Sequence, residues 1–198
     1  MKVICISGKA QHGKDTSANL LEAMLEDEGY KVLIAHYGDL VKYICKTFFD
    51  WNGEKDVYGR SLLQRIGIDV IRKQEPDYWV SFVAGILKFF DGEWDYVLIP
   101  DSRFPNEVDY LKGRRFDVIH MRVVRPGFVS PLTPEQQKHP SETALDNVIP
   151  DYYINNCGTL NNLRDTISGL IVEITGCRKE EYEETDCITA ISMPKQTA

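Results

Sequence analysis

What this sequence lacks narrows its chemistry before any motif is read. No stretch approaches the roughly 20 consecutive apolar residues that a membrane-crossing helix needs. The apolar run Val3 to Ile6 is also too brief for a secretory signal, so no membrane partner is expected. Basic charge is scarce: 23 Lys and Arg stand against 30 Asp and Glu, a net charge of −7. Binding of polymeric nucleic acid through bulk charge is therefore disfavoured, and any phosphate must be gripped locally. The five cysteines, Cys5, Cys45, Cys157, Cys177 and Cys187, form no CxxC pair and no Cys/His cluster at zinc spacing. They read as reduced thiols of a cytoplasmic protein. Internal repeats and low-complexity tracts are absent as well. With 198 residues, 43% hydrophobic and 27% charged, the chain has the make-up of one folded domain.

What is present is an alternation of strands and helices. Lys2 to Ser7, Val32 to Tyr37, Tyr96 to Ile99, Phe116 to Val124 and Tyr152 to Ile154 are short, apolar and rich in β-branched residues, as buried strands are. Apolar residues recur at three and four in Thr16 to Glu28, Leu40 to Phe49, Ser61 to Lys73, Tyr78 to Phe90, Asn106 to Lys112 and Thr159 to Ile174, which predicts helices there. Such alternation implies an α/β fold: a parallel sheet with helices on both faces, and ligands beyond the carboxyl ends of the strands. The proline-rich, polar segment from Arg125 to Pro140 is the expected lid. The single domain is placed at 1–176, with 177–198 as a tail expected to fray.

After the first strand the chain reads Gly8-Lys9-Ala10-Gln11-His12-Gly13-Lys14-Asp15-Thr16. This fits GxxxxGK[ST] through the lysine, then puts Asp15 where a Ser or Thr is usual, with Thr16 one place later. Glycines let backbone amides curl around phosphate oxygens, Lys14 adds a point charge, and the following helix aims its positive end at the same spot. Gly8, Gly13, Lys14, Asp15 and Thr16 are thus the expected ATP phosphate contacts. Asp15 needs a Mg²⁺, a water or a basic neighbour to be tolerated beside phosphates. Asp101 ends the third strand, where many phosphate-loop enzymes hold Mg²⁺ through water; the plainer alternative is a helix cap. Thr16 and Asp101 are accordingly the expected metal-side residues. The base-reading NKxD of guanine-nucleotide switches is missing, and Asp101-Ser102-Arg103-Phe104 stands where such switches carry DxxG. A small-molecule kinase instead needs arginines around the transferred phosphoryl group. By position Arg103, past a strand end, and Arg125, at the start of the lid, are preferred.

In series, these residues resemble the deoxynucleoside monophosphate kinases of tailed phages. The likeness runs through the GKDT loop, Leu62 to Asp69, Asp77 to Val80, Pro100 to Arg103, Val118 to His120, Val124 to Gly127, His139 with Glu142, and Asn156, Gly158, Thr159, Leu160 and Leu163. It implies a P-loop kinase fold and phosphoryl transfer from ATP, with Mg²⁺, to a deoxynucleoside monophosphate lying between the core and the helical segment after the second strand. It further implies donor-base contacts near Asn156 and Gly158. Cys157 stands where the family usually has an acid, and the stretch between Phe49 and Gly59 is short.

On that reading Lys14, Asp101, Arg103 and Arg125 carry catalysis, and Asp39, Lys42, Gln64, Arg65, Arg72 and Trp79 face the acceptor. Arg72 and Arg65 would hold its phosphate, Gln64 would read its base and Trp79 would stack on it. A merely exposed glutamine and a packed tryptophan are the plain alternatives. Expected partners are ATP and the monophosphate, with a homodimer admitted. Two other readings stay open: a kinase for another metabolite, of the dephospho-coenzyme A or phosphomevalonate type with Asp39 as base, or a nucleotide-binding protein without turnover.

Overall fold

The structure, a computed structural model, describes residues 1–54 and 56–176; the expected tail lies outside them. Five strands form one parallel sheet in the order β2-β3-β1-β4-β5, with β1 Lys2–Ser7, β2 Val32–Ile34, β3 Tyr96–Ile99, β4 Asp117–Val124 and β5 Tyr152–Asn155. The alternation of side chains along a strand sorts the core into two layers. Val3, Cys5, Val97 and Ile99 face one layer, where α2 (Gly38–Phe48), α3 (Val57–Gln64), α4 (Tyr78–Phe89) and α5 (Pro105–Gly113) pack. Ile4, Ile6, Leu98 and Met121 face the other, covered by α1 (Lys14–Asp27) and, at the end of the described chain, α8 (Leu160–Thr175). Between β4 and β5 lie two single-turn helices, α6 Pro134–Gln137 and α7 Pro140–Thr143. Among the described residues no helix is long and apolar enough to cross a membrane, and Cys5, Cys45 and Cys157 are free thiols.

The central strand β1 is buried at every position from Val3 to Ser7, as the sequence predicts for a strand covered on both faces. β2 ends at Ile34 rather than Tyr37. Beyond the Ala35 N–H, which still reaches the Leu98 carbonyl, the amides of Tyr37 and Gly38 turn to the Asp101 carboxylate and begin α2. The helix expected over 61–73 starts earlier, where the Asp56 side chain caps the Gly59 N–H at 2.7 Å. Its second half, Arg65–Arg72, widens to a π-helix. An outside donor accompanies the change: the Trp79 indole N–H takes the Gly67 carbonyl at 2.8 Å, and an inserted side chain is a recognised cause of a disturbed helical ladder.

Candidate active site

The loop between β1 and α1 wraps the carboxyl end of the sheet because two glycines let it. Gly8 has φ +148° and an added Cβ would meet the Val123 carbonyl oxygen at 2.5 Å; Gly13 has φ +97° and a Cβ there would meet the Asn156 amide nitrogen at 2.5 Å. Both positions combine a backbone that L side chains rarely adopt with a neighbour too close for one. α1 begins at Lys14, two residues before the expected start, since Gly13 already accepts the Ser17 N–H at 2.8 Å. Its free N-terminal amides and positive dipole end therefore open on the loop.

Lys14 is 8% exposed. Its ammonium donates to the carbonyls of Gly8 and Lys9, each at 2.9 Å, leaving a third N–H for an anion. Burial, with Arg103 adding repulsion, lowers its pKa to about 8, against the pull of Glu142, Asp15 and Asp101. Beside it a cavity of about 410 Å³ opens, lined by Gly13, Lys14, Asp15 and Thr16 from the loop side. Arg125, Asn156 and Gly158 line its far wall. Seven of the expected site residues thus meet at one cavity.

Within it, several side chains have partners the sequence did not disclose. Asn156, expected beside the donor base, donates to the His12 carbonyl at 2.9 Å and so braces the loop from the end of β5. Arg125 lies over the Phe128 ring, 4.6 Å from its centroid. Asp15 meets a basic neighbour, with its Oδ1 3.5 Å from His36 Nε2.

Asp101 accepts N–H groups from Tyr37 at 3.0 Å and Gly38 at 2.8 Å. It therefore caps a helix, but α2 across the crevice rather than the following α5. Burial raises its pKa, opposed by these two amides, His36 and Arg103. Arg103 lies in a second hollow, with Gly8 and Glu142, where its guanidinium pairs the Glu142 carboxylate and donates to the Ser141 carbonyl at 3.2 Å.

On the acceptor side the outcome is mixed. Asp39 is exposed, its carboxylate 2.7 Å from the Lys42 ammonium and 3.6 Å from His36 Nδ1. Gln64 and Arg65 sit where α3 passes into the π-helical segment. Two assignments need correction. Trp79 is 3% exposed and belongs to the core; with its indole N–H bound to Gly67 it has no open face for a base, and it braces the π-helical segment instead. Arg72 pairs Glu107 and stacks on Phe104 at 4.0 Å, so its guanidinium is engaged within the protein.

Glu107, which the sequence reading missed, accepts from the amides of Arg103 and Phe104 as well as from Arg72. It ties the π-helical segment to the start of α5. Burial pushes its carboxyl up to about 7, against Arg72 and the two amides. The available signal was its place three residues after Phe104, where an acid satisfies the open amides of a helix start.

Among the described residues, no group of three or more His, Cys, Asp or Glu side chains could hold a metal ion. Mg²⁺ is normally carried by one or two carboxylates, substrate phosphates and water rather than by a protein cage; Asp15 and Thr16 line the cavity beside Lys14, while both Asp101 oxygens accept backbone amides.

A family model described as deoxynucleotide monophosphate kinase matches residues 35–167, a stretch that begins after the phosphate loop. The deoxynucleotide monophosphate kinase of Enterobacteria phage T4 is 33% identical over 114 residues, and that of Escherichia phage RB69 30% over 114 residues. Each match spans 57% of this chain and 44% of the relative's length. Among solved structures, a Janibacter sugar kinase superposes with a TM-score of 0.51 at 13% identity, covering 89% of this chain and 95% of that one. The last comparison speaks to the fold, which is that of a P-loop kinase.

Proposed function

Since the chain belongs to the deoxynucleotide monophosphate kinase family, we propose that it transfers the γ-phosphoryl group of ATP to a deoxynucleoside monophosphate, giving the diphosphate. The observation that carries this reading is the meeting, at one cavity, of the loop after β1, the N-terminus of α1, Lys14 and Arg125. Backbone amides and two cations there face a space suited to a polyphosphate tail.

The acceptor phosphate, with a second pKa of about 6, is already ionised near neutral pH, so the chemistry needs no general base. Positioning and charge neutralisation supply the acceleration. Lys14 and the loop amides hold the donor's terminal phosphates. Arg103 and Arg125 act on the group in transfer. Gly158 opens the donor cavity where a Cβ would strike the Asn162 side-chain Oδ1 at 2.6 Å, and Asn156 keeps the loop in shape. Thr16, Asp15 and, through water, Asp101 would hold Mg²⁺, which when bound neutralises phosphate charge.

Asp39, Lys42, Gln64 and Arg65 form the acceptor wall, with Trp79 and the Arg72–Glu107 pair setting its backbone. The ion pair of Asp39 with Lys42 suits a binding role better than that of a base, which supports a phosphate rather than a hydroxyl as acceptor. The segment 125–140 is the lid that excludes water from the transferring group. Self-pairing belongs to the same proposal: Tyr78, Phe82, Ile86 and Phe89 recur at helical spacing on α4 as exposed apolar residues, a stripe that a second copy would cover. Free thiols at the three described cysteines accord with a cytoplasmic setting.

The test is a panel of deoxynucleoside and ribonucleoside monophosphates with MgATP, scored for diphosphate. The reading expects turnover with at least one deoxynucleotide; ATP binding without turnover for any member would sink it.

A further inference from the structure

One acidic side chain at this site has no part in the chemistry above. Glu142 stands in α7, a single turn whose start is fixed by His139, which accepts the Ser141 N–H on Nδ1 at 3.2 Å. Its carboxylate is only 8% exposed and reaches the phosphate loop. Oε2 accepts the Ala10 N–H at 2.8 Å, and Oε1 pairs the Arg103 guanidinium. The Glu142 carbonyl also accepts the Lys9 ammonium, which in turn pairs Asp146. A carboxylate held by a loop amide and a guanidinium is bound as a phosphoryl oxygen would be: same donors, same sign of charge.

The two anions compete for those donors. Arg103 cannot offer Nη1 to a phosphoryl oxygen while Glu142 and the Ser141 carbonyl hold it, and like charges sharing one partly buried site repel strongly. Neither α6 nor α7 contributes a buried residue to the core, so a swing of the Glu142 side chain leaves the core packing untouched while Lys9 keeps hold of its carbonyl.

Resting on the phosphate-loop reading above, we propose that Glu142 is an internal stand-in for the phosphoryl anion. It is a latch that keeps Arg103 and the Ala10 amide in binding geometry and gives way when the donor's terminal phosphate arrives. Glu142 then sets which anions are admitted: a multiply charged tail displaces it, whereas a weak, singly charged one does not.

The sign of one mutational effect tests this. Inorganic tripolyphosphate is titrated calorimetrically into the full chain at pH 6.5, where Lys14 is charged, using wild type, Glu142→Gln, Glu142→Asp and Lys14→Ala. The latch predicts binding at least about tenfold tighter for Glu142→Gln, which is about 1.4 kcal/mol. It predicts a smaller gain for Glu142→Asp, whose shorter carboxylate cannot span both donors; that variant carries the test if Glu142→Gln fails to fold. Equal, weaker or undetectable binding by the Glu142 variants, with Lys14→Ala still the weakest, would make Glu142 a fixed strut and overturn the latch alone. Wild-type affinity in Lys14→Ala would overturn the phosphate-loop reading, and the latch with it.

Discussion

The two halves of the crevice are built differently. On the donor side, backbone does the gripping: two glycines with positive φ, the open amides of α1, and a lysine tethered to loop carbonyls at 2.9 Å. The expected acceptor side offers side chains instead: exposed Asp39 and half-buried Lys42 on α2, and exposed Arg65 on a helical segment whose shape is held from behind by Trp79 and by the Arg72–Glu107 pair. On the proposed function, backbone amides would read a phosphate tail that every nucleoside triphosphate shares. Side chains can differ from relative to relative, so on the proposed function selectivity would reside in the half where the chain between Phe49 and Gly59 is short.

If that division holds, changes on one side should leave the other's affinity intact. The largest effect is expected for Lys14→Ala: a fall in kcat/KM for ATP of roughly 10²- to 10³-fold, the scale for a lost donor aimed at transition-state charge, with acceptor KM nearly unchanged in steady-state assays. The same ammonium gives the pH dependence. It is charged below its pKa of about 8 and neutral above, so kcat/KM for ATP should fall with rising pH through that value, about tenfold per unit. Lys14→Arg, permanently charged, should remove that alkaline limb from the profile even if its rate is lower. Gly13→Ala places a Cβ where φ is +97° and Asn156 stands at 2.5 Å. ATP KM is expected to rise about tenfold and stability to drop by roughly 1–3 kcal/mol, read by kinetics and denaturant melts.

The smallest effect tests the opposite wall. Trp79→Phe removes the donor to the Gly67 carbonyl and should cost roughly 1–3 kcal/mol of stability. It should raise acceptor KM a few-fold while leaving ATP KM alone. A change in ATP KM larger than that in acceptor KM would break the comparison.

The donor half was far more legible in the sequence than the acceptor half, for physical reasons. Glycine spacing, a strand before and a helix after report on local backbone geometry, and β1, α1 and the loop all follow from residues within 30 positions of one another. The acceptor wall depends on long-range pairing. Arg72 reads as a free cation until Glu107, 35 residues on, folds against it. Trp79 lies in a helical apolar pattern that suits packing better than stacking, and its burial and the Gly67 carbonyl settle it as packing. The widening to a π-helix over Arg65–Arg72 leaves the apolar spacing nearly unchanged, so periodicity could not show it. Asp101 could be read as an acid at a strand end. That it caps α2, which follows the neighbouring strand β2, was not readable, because β2 and β3 are adjacent only in the folded sheet.

The central claim is that the loop after β1 grips the tail of ATP and that the terminal phosphoryl group passes to a second nucleotide rather than to water. Following the label from γ-labelled MgATP in the presence of a deoxynucleoside monophosphate tests both halves at once. The account predicts label in the β-phosphate of the deoxynucleoside diphosphate with wild type, and transfer slowed roughly 10²- to 10³-fold with Lys14→Ala. Label released as inorganic phosphate whether or not the acceptor is present, or transfer undiminished in Lys14→Ala, would contradict it.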